Sequence, residues 1–128
     1  MSYHISKIIE GAMDGAVDKV TAALQEQGFG VLTEIDVKAT LKKKIDVDFR
    51  GYKILGACNP HFAYQALRLE DRIGTMLPCN VIVQERENGK VEVSAVDPMA
   101  SMQAIPNPDL EGIAGEVRQL LTEVIDSL

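Results

Sequence analysis

Tryptophan is absent from this chain, aromatic residues make up 5% of it, and cysteine and histidine occur twice each. Without large rings, Val, Ile, Leu, Ala and Met have to fill the core. Two cysteines exclude a disulfide-dense scaffold, and the 20 residues between them fit no zinc-finger spacing. Basic residues are scarce too: 13 Lys and Arg against 19 Asp and Glu leave a net charge of −6. That balance argues against nucleic acid as a partner, because phosphate-backbone binding needs a concentrated basic surface. No apolar run approaches the ~20 residues that span a bilayer, so no membrane partner is expected. The N-terminal Met1-Ser2-Tyr3-His4-Ile5 lacks the features of a signal peptide. A cytoplasmic location is the expectation, and there thiols stay reduced.

What is present is ordinary for one globular domain covering residues 1–128, with 46% apolar and 25% charged residues. A chain of this length buries roughly two-thirds of its unfolded surface. The one basic cluster, Lys38, Lys42, Lys43 and Lys44, reads as a solvated helix face.

Periodicity places the elements. Tyr3 to Ile9 alternates weakly, as a strand does. Met13, Val17, Val20 and Leu24 form a helical stripe, with Asp14 and Asp18 near its favourable N-terminal pole and Gly28 as the stop. A strand follows from Phe29 to Ile35, and Asp36 caps a short helix through the lysine cluster. Ile45, Val47 and Phe49 alternate with charged residues, which predicts an edge-like strand extension. The core strand is Tyr52 to Cys58. Asn59 as cap and Pro60 in the first position then start a helix that buries Phe62, Ala63, Ala66 and Leu67.

Cys79–Glu85 and Lys90–Asp97 read as a hairpin around Glu87-Asn88-Gly89. Two registers are open: a two-residue Asn88-Gly89 turn sets Val81 and Val83 on the face of Val96 and Ser94, whereas a three-residue loop pairs Val83 with Val93 and Val81 with Ala95. The second gives the cleaner apolar face and is preferred, and it sets Cys79 across from Asp97. A last helix opens at Asn107-Pro108 and carries Ile113, Val117, Leu120, Leu121, Val124 and Leu128 on its stripe. The order predicts an α/β two-layer sandwich with helices on one sheet. The other sheet face would carry Ile82 and Val96, joined by Ile8 and Leu32, which suggests a homodimer through that face.

Three segments exceed what packing requires: Leu55-Gly56-Ala57-Cys58-Asn59-Pro60, Met76-Leu77-Pro78-Cys79-Asn80 and Asp97-Pro98-Met99. Together with Gly28-Phe29-Gly30-Val31 and Val37-Lys38-Ala39-Thr40-Leu41 they resemble the signature of domain-of-unknown-function family 302, across nearly the whole chain. The resemblance implies a fold like that of the TATA-box-binding protein, a curved, mainly antiparallel sheet backed by helices. It also implies antiparallel neighbouring strands for Cys58 and Cys79, which spacing alone leaves open. It implies no activity, substrate or cofactor.

The candidate ligand site is therefore Cys58, Asn59, Cys79, Asn80, Asp97 and Met99, in a module for a small molecule or soft metal. Cys58 precedes a helix start, a position that favours a reactive thiol, and a thiol redox enzyme with Cys58 attacking and Cys79 resolving is the alternative. Cys58, Cys79, His61 and Asp97 are the only tetrahedral metal candidates. Met76, Met99 and Met102 near the same motifs would suit Cu(I), although methionine is also ordinary core filler. Asn59, Asn80 and Asp97 each have a sufficient role as caps or turn formers.

Overall fold

The computed structural model describes residues 2–128. Five strands, β1 (His4–Glu10), β2 (Gly30–Asp36), β3 (Tyr52–Cys58), β4 (Cys79–Glu85) and β5 (Lys90–Val96), form one sheet in the order β1-β5-β4-β3-β2. Every neighbouring pair is antiparallel. The helices are α1 (Met13–Glu26), α2 (Val37–Ile45), α3 (Pro60–Leu69), α4 (Pro98–Ser101) and α5 (Leu110–Asp126), with a 3-10 turn at Asp71–Met76. The mixed α/β class with an antiparallel sheet and helices is as expected.

The β4–β5 hairpin adopts the three-residue register: Val81 pairs with Ala95 and Val83 with Val93. Asn88 and Gly89 both take positive φ, 62° and 71°, which turns the loop back with the hand of the strand twist. Leu55, Val81, Val83, Val93 and Ala95 thus share one face and are fully buried. Against them pack Val20 and Leu24 of α1 and Leu121, Val124 and Ile125 of α5. Gly28 ends α1 at φ +84°, donating to the Gln25 carbonyl while Phe29 N–H reaches back to Leu24. Lys7 Nζ donates to the backbone oxygen of Leu128 at 2.5 Å, fastening β1 to the segment just past α5.

Four local expectations change. Residues 46–50 form no strand: Asp46 closes α2 in the left-handed region, and the next residues run irregularly to Gly51. There Arg50 lies over the Phe49 ring, 4.5 Å from its centroid, and donates to Gln84 Oε1 at 2.8 Å. Side-chain packing and this hydrogen bond hold the segment in place of a sheet ladder. Leu67 is 43% exposed rather than on the buried side of α3. The last helix begins at Leu110, because Asn107 Oδ1 accepts from Asp109 N–H and forms a separate turn first. Leu32 does not join the outer sheet face: a bulge between Val31 and Thr33 leaves it out of register, 67% exposed, and on the rim of a cavity.

On the outer face Ile82 sits opposite Ser94 and Val96 opposite His4, while Ile8, 56% exposed, sits opposite Glu92. The middle of that face is polar and internally bonded. Ser6 Oγ donates to Ser94 Oγ at 2.7 Å, and Gln84 bridges Arg50 and Glu92.

Candidate functional site

The end of the sheet where β3 stops and β4 starts is covered by α3 and α5, and between them lies a cavity of about 270 Å³. The space follows from small side chains on facing elements: Ala57 on β3, Ala63 and Ala66 on α3, Ala114 on α5. Phe29, Phe62, Leu77, Ile113 and Val117 complete an almost wholly apolar wall. The cavity marks a seam between two cores. Ala57, Cys79 and Val117 belong to the main cluster, while Ala66 belongs to a smaller one with Ile73 and Leu110.

Both thiols reach it. Ala57 is the register partner of Cys79, so Cys58 follows one residue beyond that pair at the strand end. Both cysteines are free and both line the cavity. Cys58 is half-buried at the lip; Cys79 is only 9% exposed. Burial, and then the neighbouring Cys58, push the Cys79 thiol up to about 11. Cys79 is therefore a neutral S–H at physiological pH.

Asn59 lines the cavity mouth but acts differently from expectation. It occupies the N-cap position of α3, yet among the described residues its side chain accepts no amide of that helix. Instead Nδ2 donates to the Gln27 carbonyl at 3.4 Å, tying the end of α1 to the start of α3. The first intrahelical bond of α3 runs from Ala63 N–H to the Asn59 carbonyl. The His61 and Phe62 amides precede it in the first turn, where an α-helix offers no intrahelical acceptor.

The other sequence-derived candidates lie elsewhere. Continuing the β4–β5 register by two residues opposes Cys79 to Asp97, but the Asp97 side chain turns away from the cavity. One oxygen accepts from Met99 N–H at 2.9 Å, capping α4, and the other from Arg118 Nε at 3.0 Å. Asn80 is exposed opposite Gly56. Met99 lines an adjoining groove, Met102 borders both groove and cavity, and Met76 is 38% exposed. His61 is exposed on the first turn of α3. Among the described residues no three His, Cys, Asp or Glu side chains gather as a cation site, so Cys58, Cys79, His61 and Asp97 form no metal-binding group.

The alanines and the facing α5 residues were missed as site residues because a helical stripe reads as core. The available signal was their size: Ala63, Ala66 and Ala114 stand where a filled interface would carry Leu or Ile.

The sequence pattern of DUF302, a domain of unknown function, matches residues 5–128. The chain belongs to the DUF302 family. The crystal structure of an uncharacterized conserved DUF302 protein from Bacillus stearothermophilus superposes with a TM-score of 0.90 at 28% identity, covering 98% of each chain. No curated protein matches. The DUF302 resemblance read from the cysteine motifs thus holds at the level of family and fold. Among the described residues no helix is long and apolar enough to cross a membrane.

Proposed function

We propose that this DUF302 domain is a binding module for a small, uncharged, apolar molecule held between α3, α5 and the end of the sheet. The observation that carries this reading is the open cavity of about 270 Å³, built from facing alanines at the meeting point of the two cysteine motifs. Its walls are almost wholly apolar, and its volume lies just below the roughly 300 Å³ at which small-molecule sites begin. No Lys, Arg, Asp or Glu lines the wall, so nothing there compensates a buried ligand charge. Cys58, Asn59 and Cys79 supply the few polar contacts. Asp97 caps α4 through the Met99 amide, and Asn80 lies exposed on β4.

Thermal unfolding tests the reading. A saturating neutral C8 alcohol at about 100 times its Kd adds about 2.7 kcal/mol of stability, on the order of 10 °C in Tm. The double variant Ala63→Leu/Ala114→Leu, with its cavity filled, abolishes the shift. A wild-type Tm indifferent to C6–C10 alcohols and to indole overturns the proposal.

Thiol redox chemistry is the weaker reading, because Cys79 stays protonated near neutral pH and thiolates are the attacking species. A homodimer through the outer sheet face has one observation in its favour, the exposed Ile8, which lies opposite Glu92 on that face. Sedimentation equilibrium of wild type and Ile82→Lys decides it: a monomeric wild type removes the dimer.

A further inference from the structure

Two features of the cavity narrow its ligand class. First, the thiols are unequal in access: Cys58 is half-buried at the lip, whereas Cys79 is deep and 9% exposed. An incoming molecule therefore meets one reachable sulfur nucleophile with apolar walls behind it. Second, α3 starts directly after Cys58 and Asn59, and its first turn carries backbone donors without a side-chain cap. The His61 and Phe62 amides lie ahead of the first intrahelical bond of α3, and the Asn59 side chain, engaged with Gln27, leaves them uncapped. Donors of this kind suit an oxygen that gains negative charge during a reaction.

Building on the apolar-ligand reading, we propose that the occupant is an α,β-unsaturated aldehyde or ketone with a short aliphatic tail, captured covalently by Cys58. The tail fills the space beside Ala63, Ala66 and Ala114, and the carbonyl stays at the mouth. The Cys58 thiol loses its proton to water, and its sulfur forms a C–S bond to the β-carbon. The C=C π pair moves to an enolate whose oxygen faces the α3 amides. Water returns a proton to the α-carbon, so the net change is addition of S–H across the double bond, without an external oxidant or reductant. Cys79 stays a neutral thiol under the same conditions and forms part of the wall.

The test is intact-mass spectrometry with peptide mapping on the full chain, using trans-2-octenal as the tailed acceptor and acrylamide as the tailless one. Glutathione supplies the reference rates. The expected result is one octenal adduct on Cys58, with an octenal-to-acrylamide rate ratio at least tenfold above that of glutathione. Ala63→Leu/Ala114→Leu brings that ratio down to the glutathione value, and Cys58→Ser yields no adduct. A wild-type ratio equal to that of glutathione, or an adduct mapped to Cys79 or elsewhere, overturns the proposal without relying on any variant to fold. Saturated octanol separates the two readings. If octanol raises Tm while octenal gives no preferred adduct, the cavity binds apolar molecules and the covalent step is wrong; if neither ligand acts, both readings fail.

Discussion

The Asp97 carboxylate, buried at the end of β5, takes the Arg118 guanidinium of α5 at 3.0 Å while its other oxygen caps α4. One side chain thus fixes a strand end, a one-turn helix and the long C-terminal helix together. Removing it leaves the Met99 amide without its acceptor and Arg118 without its anion. Asp97→Ala is expected to cost about 2–3 kcal/mol, from a lost cap and a lost charge-assisted hydrogen bond. Arg118→Ala costs less, about 1 kcal/mol, because Arg118 is half in water. Urea midpoints of both single variants and the double variant measure the coupling, and additive single effects would show that the contact contributes nothing.

Stability should fall in alkali through Cys79. Its thiol is pushed up from 9.0 to about 11 by burial and by Cys58. Between those values the unfolded chain releases a proton that the folded chain keeps, so the contribution is complete below pH 9 and lost as pH rises toward 11. The loss amounts to about 3 kcal/mol. Cys79→Ala is somewhat less stable than wild type at pH 7, and the gap closes or reverses by pH 11. Urea titrations at pH 7, 9 and 11 check this; a constant gap contradicts it.

The two thiols should report separately. An aromatic disulfide reagent at pH 8 is expected to modify one equivalent quickly, mapped to Cys58. The second should follow at a rate limited by opening of the seam between the cores. Mild urea, below the unfolding midpoint, accelerates only the second phase. Equal rates for the two thiols would mean that Cys79 is not shielded in solution.

Gly56 tolerates no side chain. A Cβ there would run into Thr33 Oγ1 and lie 2.8 Å from Pro78 Cγ. The proline ring cannot swing aside, so β3 and β4 would have to separate. Gly56→Ala is expected to cost about 1–3 kcal/mol as an overpacking change. A control at Gly15, where a Cβ meets nothing within 4 Å, should gain stability as helix propensity improves. Thermal melts of the two variants should move in opposite directions.

Much of this architecture was legible in the residues because local signals agreed with the tertiary solution. The hairpin register followed from Val81, Val83, Val93 and Ala95 needing one common face. Gly28 stopped α1, and Asp36 capped α2 through the Ala39 amide. The errors arose where long-range contacts outweighed local pattern. Alternation from Ile45 to Phe49 reads as a strand until Arg50 is seen held by Gln84, 34 residues away in sequence. At the site, the motif cysteines and Asn59 led to the right place, but Asp97 was drawn away by Arg118, which no spacing rule connects to it. Emptiness leaves no residue-type signature, so the cavity itself was invisible beyond the small size of its alanines.

The strand order has a kinetic meaning. β1 precedes the other strands, yet among the described residues its one strand partner is β5, with His4 opposite Val96. A chain emerging from its N-terminus therefore holds β1 without a partner until nearly all of the sheet has been synthesised. The local β4–β5 hairpin can close early, and β1 must find it across a loop of most of the domain, whose closure entropy slows the step. The β1 edge of the sheet is thus the part of the fold completed late, with the Lys7 clasp on Leu128 available only once α5 has been made.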